Sequence, residues 1–403
     1  MCQEFIAGVN MALEEKIKTA EQKPKEKKFK SYYDYSLIFA ILFLIIFGLI
    51  MIFSASSYVA ELKFHDSAYF VKRQLAFSIL GLILMIGLSM INYKLWIKFS
   101  LPIYVVSSFL SFIVLIIGRD VNGARRWLGT RTFSFQPSEL LKIGIIVFLA
   151  NFLVKYKDNL HAEDKKFVRK WLWLFLGMVI LPIAFVAKEN WSTGIIIFLI
   201  AFSMTFLGTS DILLHSIGTG VMTFALIFTK PIVKLLYKYG VTGNRFRRLV
   251  VWADPEKFSR SGGYQVLQGL YAIGSGNMFG KGLGHGLQKF FLPESQNDMI
   301  FAIIVEEIGL FGAALILSVF AFIIFRMLII AYSVTDPSAM YLVIGVMIHL
   351  SLQVILNIAV VTGALPNTGV SLPFISYGGT SVVILLVEMS MVLSVARSIK
   401  MEY

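Results

Sequence analysis

The sequence predicts an all-α polytopic membrane protein, with about ten transmembrane helices and one long extracellular loop between spans seven and eight. Three observations point there. Of the 403 residues, 57% are hydrophobic and only 15% charged, with a mean hydropathy of +0.76. A soluble domain averages roughly 25% charged residues, so no single water-soluble core could hide this chain. Apolar runs recur at the ~20 residues that a helix needs to cross a bilayer. Lysines and arginines in the short connecting segments gather on one side, as they do in cytoplasmic loops.

Taken in order, the spans fall near 37–57, 74–92, 99–117, 138–154, 171–187, 193–209, 213–230, 299–325, 341–361 and 376–396. The run from Leu37 to Ser56 contains no charge and lies too far from the start for a cleaved signal peptide. The tail before it (residues 1–33) holds seven lysines, Lys16 to Lys30, and nearly as many acids, so it reads as a solvated segment. The loop 155–170, KYKDNLHAEDKKFVRK, carries six Lys or Arg. An even number of spans puts the tail, this loop and the C-terminal segment 398–403 on one side, taken as the cytoplasm. The intervening transmembrane domain covers 34–397. Cys2 stands alone, so no intramolecular disulfide forms and the redox compartment is undetermined. The net charge of +13 fits anionic lipid head groups as partner better than nucleic acid.

Two connections then face outward. One, GRDVNGARRWLGTRTFSFQP at 118–137, holds Arg119, Arg125, Arg126 and Arg131 on the side where positive charge is disfavoured. They read either as head-group anchors or as a site for an anionic substrate, since the guanidinium fork matches phosphate oxygens. The other, 231–298, is the only long loop. It mixes basic and aromatic residues (NRFRRLVVWADPEKF) with the glycine run GSGNMFGKGLGHG. Its Tyr264–Ile273 stretch suits a short amphipathic helix at the interface. The glycines fail the P-loop spacing, because Gly276 and Gly280 are separated by three residues and Gly282 follows Lys281. Tight turns and close backbone approach explain them better.

Ionisable residues within spans are expensive and point to function. Glu139 and Lys142 sit at i and i+3 and can pair. Lys188 and Glu189 open a short outer turn before Asn190. His349, Gln353 and Asn357 repeat every four residues as a polar stripe, which reads as an interhelical hydrogen-bond seam. His349 has no second ligand at metal spacing. Glu388 shows no partner in the sequence. In LPESQNDMIFAIIVEEIG, Asp298 falls at the wet end of span eight, with Glu306 and Glu307 deeper on different faces, the first about 12 Å along the axis. Asp298 reads as a helix N-cap or as a functional carboxylate at the water boundary; the glutamates could pair with a membrane lysine or bond to backbone N–H groups.

The stretches MIFSASSYVA, FVKRQ, NGARRW, FSFQPSELLK, GGYQVLQGLYAIGSG, LPESQNDMIFAIIVEEIG and LPFISYGGTS, in this order, resemble the SEDS family (shape, elongation, division and sporulation), from about Asp34 to Arg397. GLGHGLQK and the NDMIF form of the acid motif are closer to the division and sporulation members, FtsW and SpoVE, than to RodA. The resemblance implies a peptidoglycan glycosyltransferase of the bacterial cytoplasmic membrane, both termini cytoplasmic, that polymerises lipid II on the outer face. It implies a class B penicillin-binding protein and other divisome proteins as partners, besides lipid II, the nascent glycan strand and membrane lipids. The family's essential loop aspartate corresponds to Asp298. Its usual Thr-Asp-Phe reads Asn297-Asp298-Met299 here. The Gly-Ala-Arg-Arg-Trp element is Gly123 to Trp127, and the usual Pro-Asp-Leu-Gly-Thr turn is replaced by Glu189 to Thr193.

On this reading Asp298 is the catalytic base for the acceptor hydroxyl. An ordinary Asp has a pKa of about 3.9, and desolvation near Phe291 and Leu292 would raise it. Arg125 and Arg126 come first in stabilising the diphosphate, followed by Lys142 and Arg248, and Trp127 belongs with them to the substrate-binding set. Glu306 and Glu307 support the site from below, with Lys142. A divalent cation could share the phosphate work, but no carboxylate cluster demands a metal. A lipid II flippase and a non-catalytic division scaffold are the competing readings; neither needs a base on one face.

Overall fold

The computed structural model describes residues 30–401 except 32, 122–123, 130–133, 161–164, 210–211, 242 and 261. Cys2, the tail lysines before Lys30, Gly123 and Arg131 lie outside the described residues.

A two-residue strand β1 (Lys30–Ser31) leads into α1 (Tyr35–Phe64). Asp34 caps that helix, its Oδ1 accepting the Leu37 N–H at 3.0 Å. A hairpin of helices follows: α2 (Tyr69–Ser89), the short α3 (Tyr93–Lys98) and α4 (Ser100–Ile117). The arginine-rich connection is a small antiparallel sheet in the order β2 (Arg119–Val121), β3 (Ala124–Gly129), β4 (Ser134–Phe135). Then come α5 (Pro137–Lys155), α6 (Lys157–Leu160), α7 (Lys165–Glu189) and α8 (Trp191–Gly208).

α9 (Ile212–Lys238) runs beyond the expected end of span seven. Its halves, His215–Ala225 and Ile227–Lys238, are bent by 48°. The break falls one turn ahead of Pro231, whose ring displaces the carbonyl four residues back and removes a hydrogen bond. The long loop contains α10 (Asn244–Ala253) and α11 (Gly263–Ser275). α11 packs its Gly263, Val266, Gly269 and Ala272 face inward, against α12 (Ile300–Ser333). α13 (Pro337–Val361), α14 (Thr380–Ser398) and strand β5 (Lys400–Met401) complete the chain.

Each of the ten expected spans lies on a helix. Eight helices among the described residues are long and apolar enough to cross a membrane, or nine if the bent α9 counts as one span. α7, the tenth, is 25 residues long with Pro182 inside it. Two boundaries differ from expectation. Residues 376–379 are irregular, so α14 starts at Thr380. Span eight is interrupted at Gly309 (φ 74°, ψ 179°), and Leu310 begins the uninterrupted stretch. The charges of Glu306 and Glu307 had been assigned to the span's interior. They sit just before the interruption.

α5 is the axis of the bundle. Almost every side chain on it is buried, and it packs against α4, α8 and α13. At one face of the molecule β1 and β5 pair antiparallel, Lys30 opposite Met401 and Ser31 opposite Lys400, so the two ends of the described chain lie together. There Arg326 of α12 grips buried Asp34 through Nε (3.1 Å) and Nη2 (2.8 Å). At the same face Tyr93 donates to Asp336 at 2.9 Å. The cavity lies at the opposite face.

Candidate active site

Asp298 does not cap α12. The cap position is Met299, and no side chain bonds there. The N-cap reading is therefore set aside. The segment carrying Asp298 is held from three sides. Ser295 Oγ donates to Ala55 O on α1 at 2.9 Å, and Tyr377 N–H donates to Gln296 O at 2.9 Å. Asn357 Nδ2 donates both to Asp298 O (2.8 Å) and to Val370 O (2.7 Å). The expected seam on α13 thus fastens the acid's own backbone. The facing loop is held by α2: Gln74 takes the Gly378 and Gly379 N–H groups on Oε1 and gives Nε2 to Ser376 O. This is the task of Gln74 in FVKRQ.

These loops enclose a cavity of about 760 Å³. It brings Asp298 together with Arg126, Trp127, Lys142 and Arg248, four residues singled out from the sequence. It adds Arg247, Gln265, Glu294, Asn297, Gln353 and Asn367, which the sequence reading had not assigned to substrate. Arg247 had a visible signal, since it stands beside Arg248 in NRFRRLVVW. Asn367 had none, because only the fold carries the 362–379 loop over Asp298.

Lys142 Nζ lies 2.9 Å from Glu139 Oε1, the i, i+3 pair expected, and Ser381 Oγ donates to Glu139 Oε2 at 3.1 Å. The pair neutralises itself at the cavity wall. Beyond it, the charged side chains that line the cavity among the described residues are Arg126, Arg247 and Arg248 with Glu294 and Asp298. Burial lowers the pKa of Arg126, the nearby charge of Arg248 lowers it further, and Glu189 opposes both. A partly buried guanidinium with the exposed Arg248 close enough to repel it makes a place for an anion. Asp298 is half-buried. Desolvation pushes its carboxyl up to about 6, its own and the Met299 N–H groups and Asn367 counteract, and Glu294 adds to the rise. The direction is the one expected, although Phe291 is exposed.

Three predicted site residues are not in this cavity. Arg125 is exposed and borders a smaller pocket with Glu189 and Asn190. Its backbone N–H donates to Glu189 Oε2 at 2.9 Å. Neighbours on a strand point to opposite faces, so Arg125 and Arg126 diverge. Glu306 and Glu307 are fully buried and their partners are not Lys142. Glu306 takes Lys281 Nζ at 2.7 Å and the Leu287 and Gln288 N–H groups at 3.0 and 3.1 Å. Glu307 takes Lys289 Nζ at 3.0 Å, the Gly284 N–H at 3.0 Å and Ser54 Oγ at 2.6 Å. Their oxygens fold the loop rather than face a ligand. Among the described residues no group of three or more His, Cys, Asp or Glu could hold a metal ion.

A family model described as a cell cycle protein, covering FtsW, RodA and SpoVE, matches residues 35–401. The chain belongs to this family. Stage V sporulation protein E of Bacillus subtilis is 36% identical over 90% of this chain and 97% of its own length. A probable peptidoglycan glycosyltransferase FtsW of Geobacter sp. (strain M18) is 33% identical over 91% of this chain and 98% of its own. Among solved structures, a chain from work on how a peptidoglycan synthase complex coordinates polymerization and crosslinking superposes with a TM-score of 0.72 at 22% identity. The match covers 91% of this chain and 98% of that one. The rod shape determining protein RodA of Thermus thermophilus gives 0.63 at 24% identity over 91% and 97%. At such identities the likeness of an FtsW/RodA/SpoVE protein to these structures is one of fold.

Proposed function

We propose that the protein is a peptidoglycan glycosyltransferase that joins lipid II units into glycan strands at the outer face of the cytoplasmic membrane, with Asp298 as general base. The observation that carries the assignment is the sharing of one cavity by a desolvated carboxylate and three arginines. The termini are assigned to the cytoplasm and the cavity to the opposite, outer side. The names of the relatives in division and sporulation support one of those settings.

The acceptor sugar's 4-hydroxyl loses its proton to Asp298 as its oxygen attacks the donor's anomeric carbon. The bond from that carbon to the diphosphate breaks, and the polyprenyl diphosphate leaves with the electron pair. A carboxyl with a pKa of about 6 is still ionised at neutral pH and is a better base than an ordinary aspartate. Arg126 and Arg248, joined by Arg247, stabilise the charge that grows on the departing phosphate, the work that preorganised cations do in phosphoryl-bearing sites. Glu139 holds Lys142 at the wall. A class B penicillin-binding protein that cross-links the product strands is the proposed partner.

The test is polymerisation of lipid II by the purified protein, alone and with that partner. Wild type is expected to give glycan strands, and Asp298→Ala none, at equal amounts of folded protein. Strand synthesis by Asp298→Ala would remove the base assignment.

A further inference from the structure

The glycine run singled out in the sequence does not line the cavity, and the reaction leaves it without a task. With the residues up to Phe291 it forms a strap across the break in α12. Leu310 N–H donates to Asn277 O at 3.0 Å and Phe311 N–H to Met278 O at 3.0 Å. In return Lys281 N–H donates to Glu306 O at 3.0 Å and Gly282 N–H to Glu307 O at 2.9 Å. The backbone groups freed at the break are thereby satisfied, which a chain in contact with lipid requires.

The strap sorts its side chains by polarity. The lysines turn inward, Lys281 to Glu306 and Lys289 to Glu307. The apolar residues turn outward: Phe279 is 82% exposed, and Met278, Leu283, Leu287, Phe290 and Phe291 are exposed as well. Soluble surfaces rarely carry so dense an apolar patch. This patch is continuous with the lipid-facing flanks of two spans. The Phe279 ring is 6.4 Å from that of Phe311, beside exposed Leu310, and Phe290 meets Tyr58 of α1 edge-on at 5.1 Å. The stretch Leu310–Ser333 is about 36 Å long, enough for a hydrocarbon core of about 30 Å. That length allows the core to begin at Leu310 on the cavity side.

We propose that residues 277–291 are a membrane-seated strap, with their apolar side chains in the lipid leaflet on the cavity side rather than in water. Phe291 is only a short stretch of chain before Asp298. The strap thus fixes the height of the acid at the lipid boundary, which is where a lipid-linked substrate presents its polar head.

Site-directed spin labelling of the full chain in lipid nanodiscs tests this. In a Cys2→Ser background, nitroxides are placed by Phe279→Cys, Leu287→Cys and Phe290→Cys. Phe322→Cys, on the exposed flank of α12, serves as the lipid reference and Ser259→Cys as the water reference. The strap positions are expected to fall between the two references, nearer Phe322→Cys: more collision with oxygen, and less with a water-soluble nickel chelate, than at Ser259→Cys. Nickel accessibility equal to that at Ser259→Cys overturns the proposal. Protection from both reagents also overturns it, because protein, for instance a second copy, would then cover the patch. If a nitroxide perturbs one site, bimane on the same cysteine, quenched by brominated lipid, gives the same decision.

Discussion

His349 Nδ1 lies 2.7 Å from Glu388 Oε2, with both side chains sealed from solvent, so an acid–imidazole pair ties α13 to α14 inside the membrane domain. Removing one member leaves the other buried without its hydrogen-bond partner, which costs about 1–3 kcal/mol, whereas replacing both by apolar groups is often neutral. Glu388→Leu and His349→Leu are each expected to lose stability on that scale. The double variant His349→Leu/Glu388→Leu should recover most of it. Thermal unfolding of the four purified proteins measures the coupling; additive losses would show that the pair does not act as one.

Asp298 should trade stability for activity. Its folded pKa of about 6 lies above the ordinary 3.8. Protonation therefore favours the folded state, and this contribution is complete below the ordinary value and lost as pH rises through about 6. At neutral pH the ionised carboxylate is a destabilising group. Asp298→Asn should raise the melting temperature at pH 7.5, with the gain shrinking as pH falls below about 6 and vanishing only below the ordinary 3.8, while polymerisation falls by about 10²-fold or more. In wild type the rate should drop as pH falls through about 6, because the base becomes protonated. A rate flat between pH 5 and 8 would contradict this.

Neighbouring arginines should part company. Arg126 lines the cavity and Arg125 does not. Arg126→Ala is expected to lower initial polymerisation rates by about 10²-fold, the scale of losing one preorganised charge stabiliser. Arg125→Ala should leave the rate close to wild type, because its contact with Glu189 runs through the backbone N–H, which alanine keeps. Equal losses in the two variants would place both side chains on substrate.

Hydropathy alone put each expected span on a helix, eight or nine of which are long and apolar enough to cross a membrane, since lipid exposure selects apolar runs whatever the tertiary contacts are. It also placed Glu139 with Lys142, because helical spacing makes that pair local. Contacts made across the fold were not legible. The partner of Glu388 is 39 residues away on another helix. Lys281 and Lys289 reach Glu306 and Glu307 because the loop that carries them crosses the break at Gly309. A regular helix through that glycine was the natural expectation in so apolar a run, and it carried the two glutamates into the membrane. The resemblance located Asp298, and the structure supplied what surrounds it.

Gly309 provides the sharpest test of how the strap and the site are joined. Its φ of 74° with ψ of 179° is a conformation essentially reserved for glycine. A Cβ there would also meet Met278 O at 2.3 Å and Gly280 N at 2.4 Å. Neither atom can yield, because both belong to the backbone that crosses the break. Gly309→Ala therefore combines strain of about 1–3 kcal/mol with displacement of the strap. Gly87 in α2 is the control: it is helical and a Cβ there meets nothing within 4 Å. Gly87→Ala should be neutral or gain about 0.5–1 kcal/mol. Hydrogen exchange in 277–291 should accelerate in Gly309→Ala, and polymerisation should fall with it, since the chain from Phe291 to Asp298 loses its anchor. Faster exchange with an unchanged rate would separate the strap from the acid.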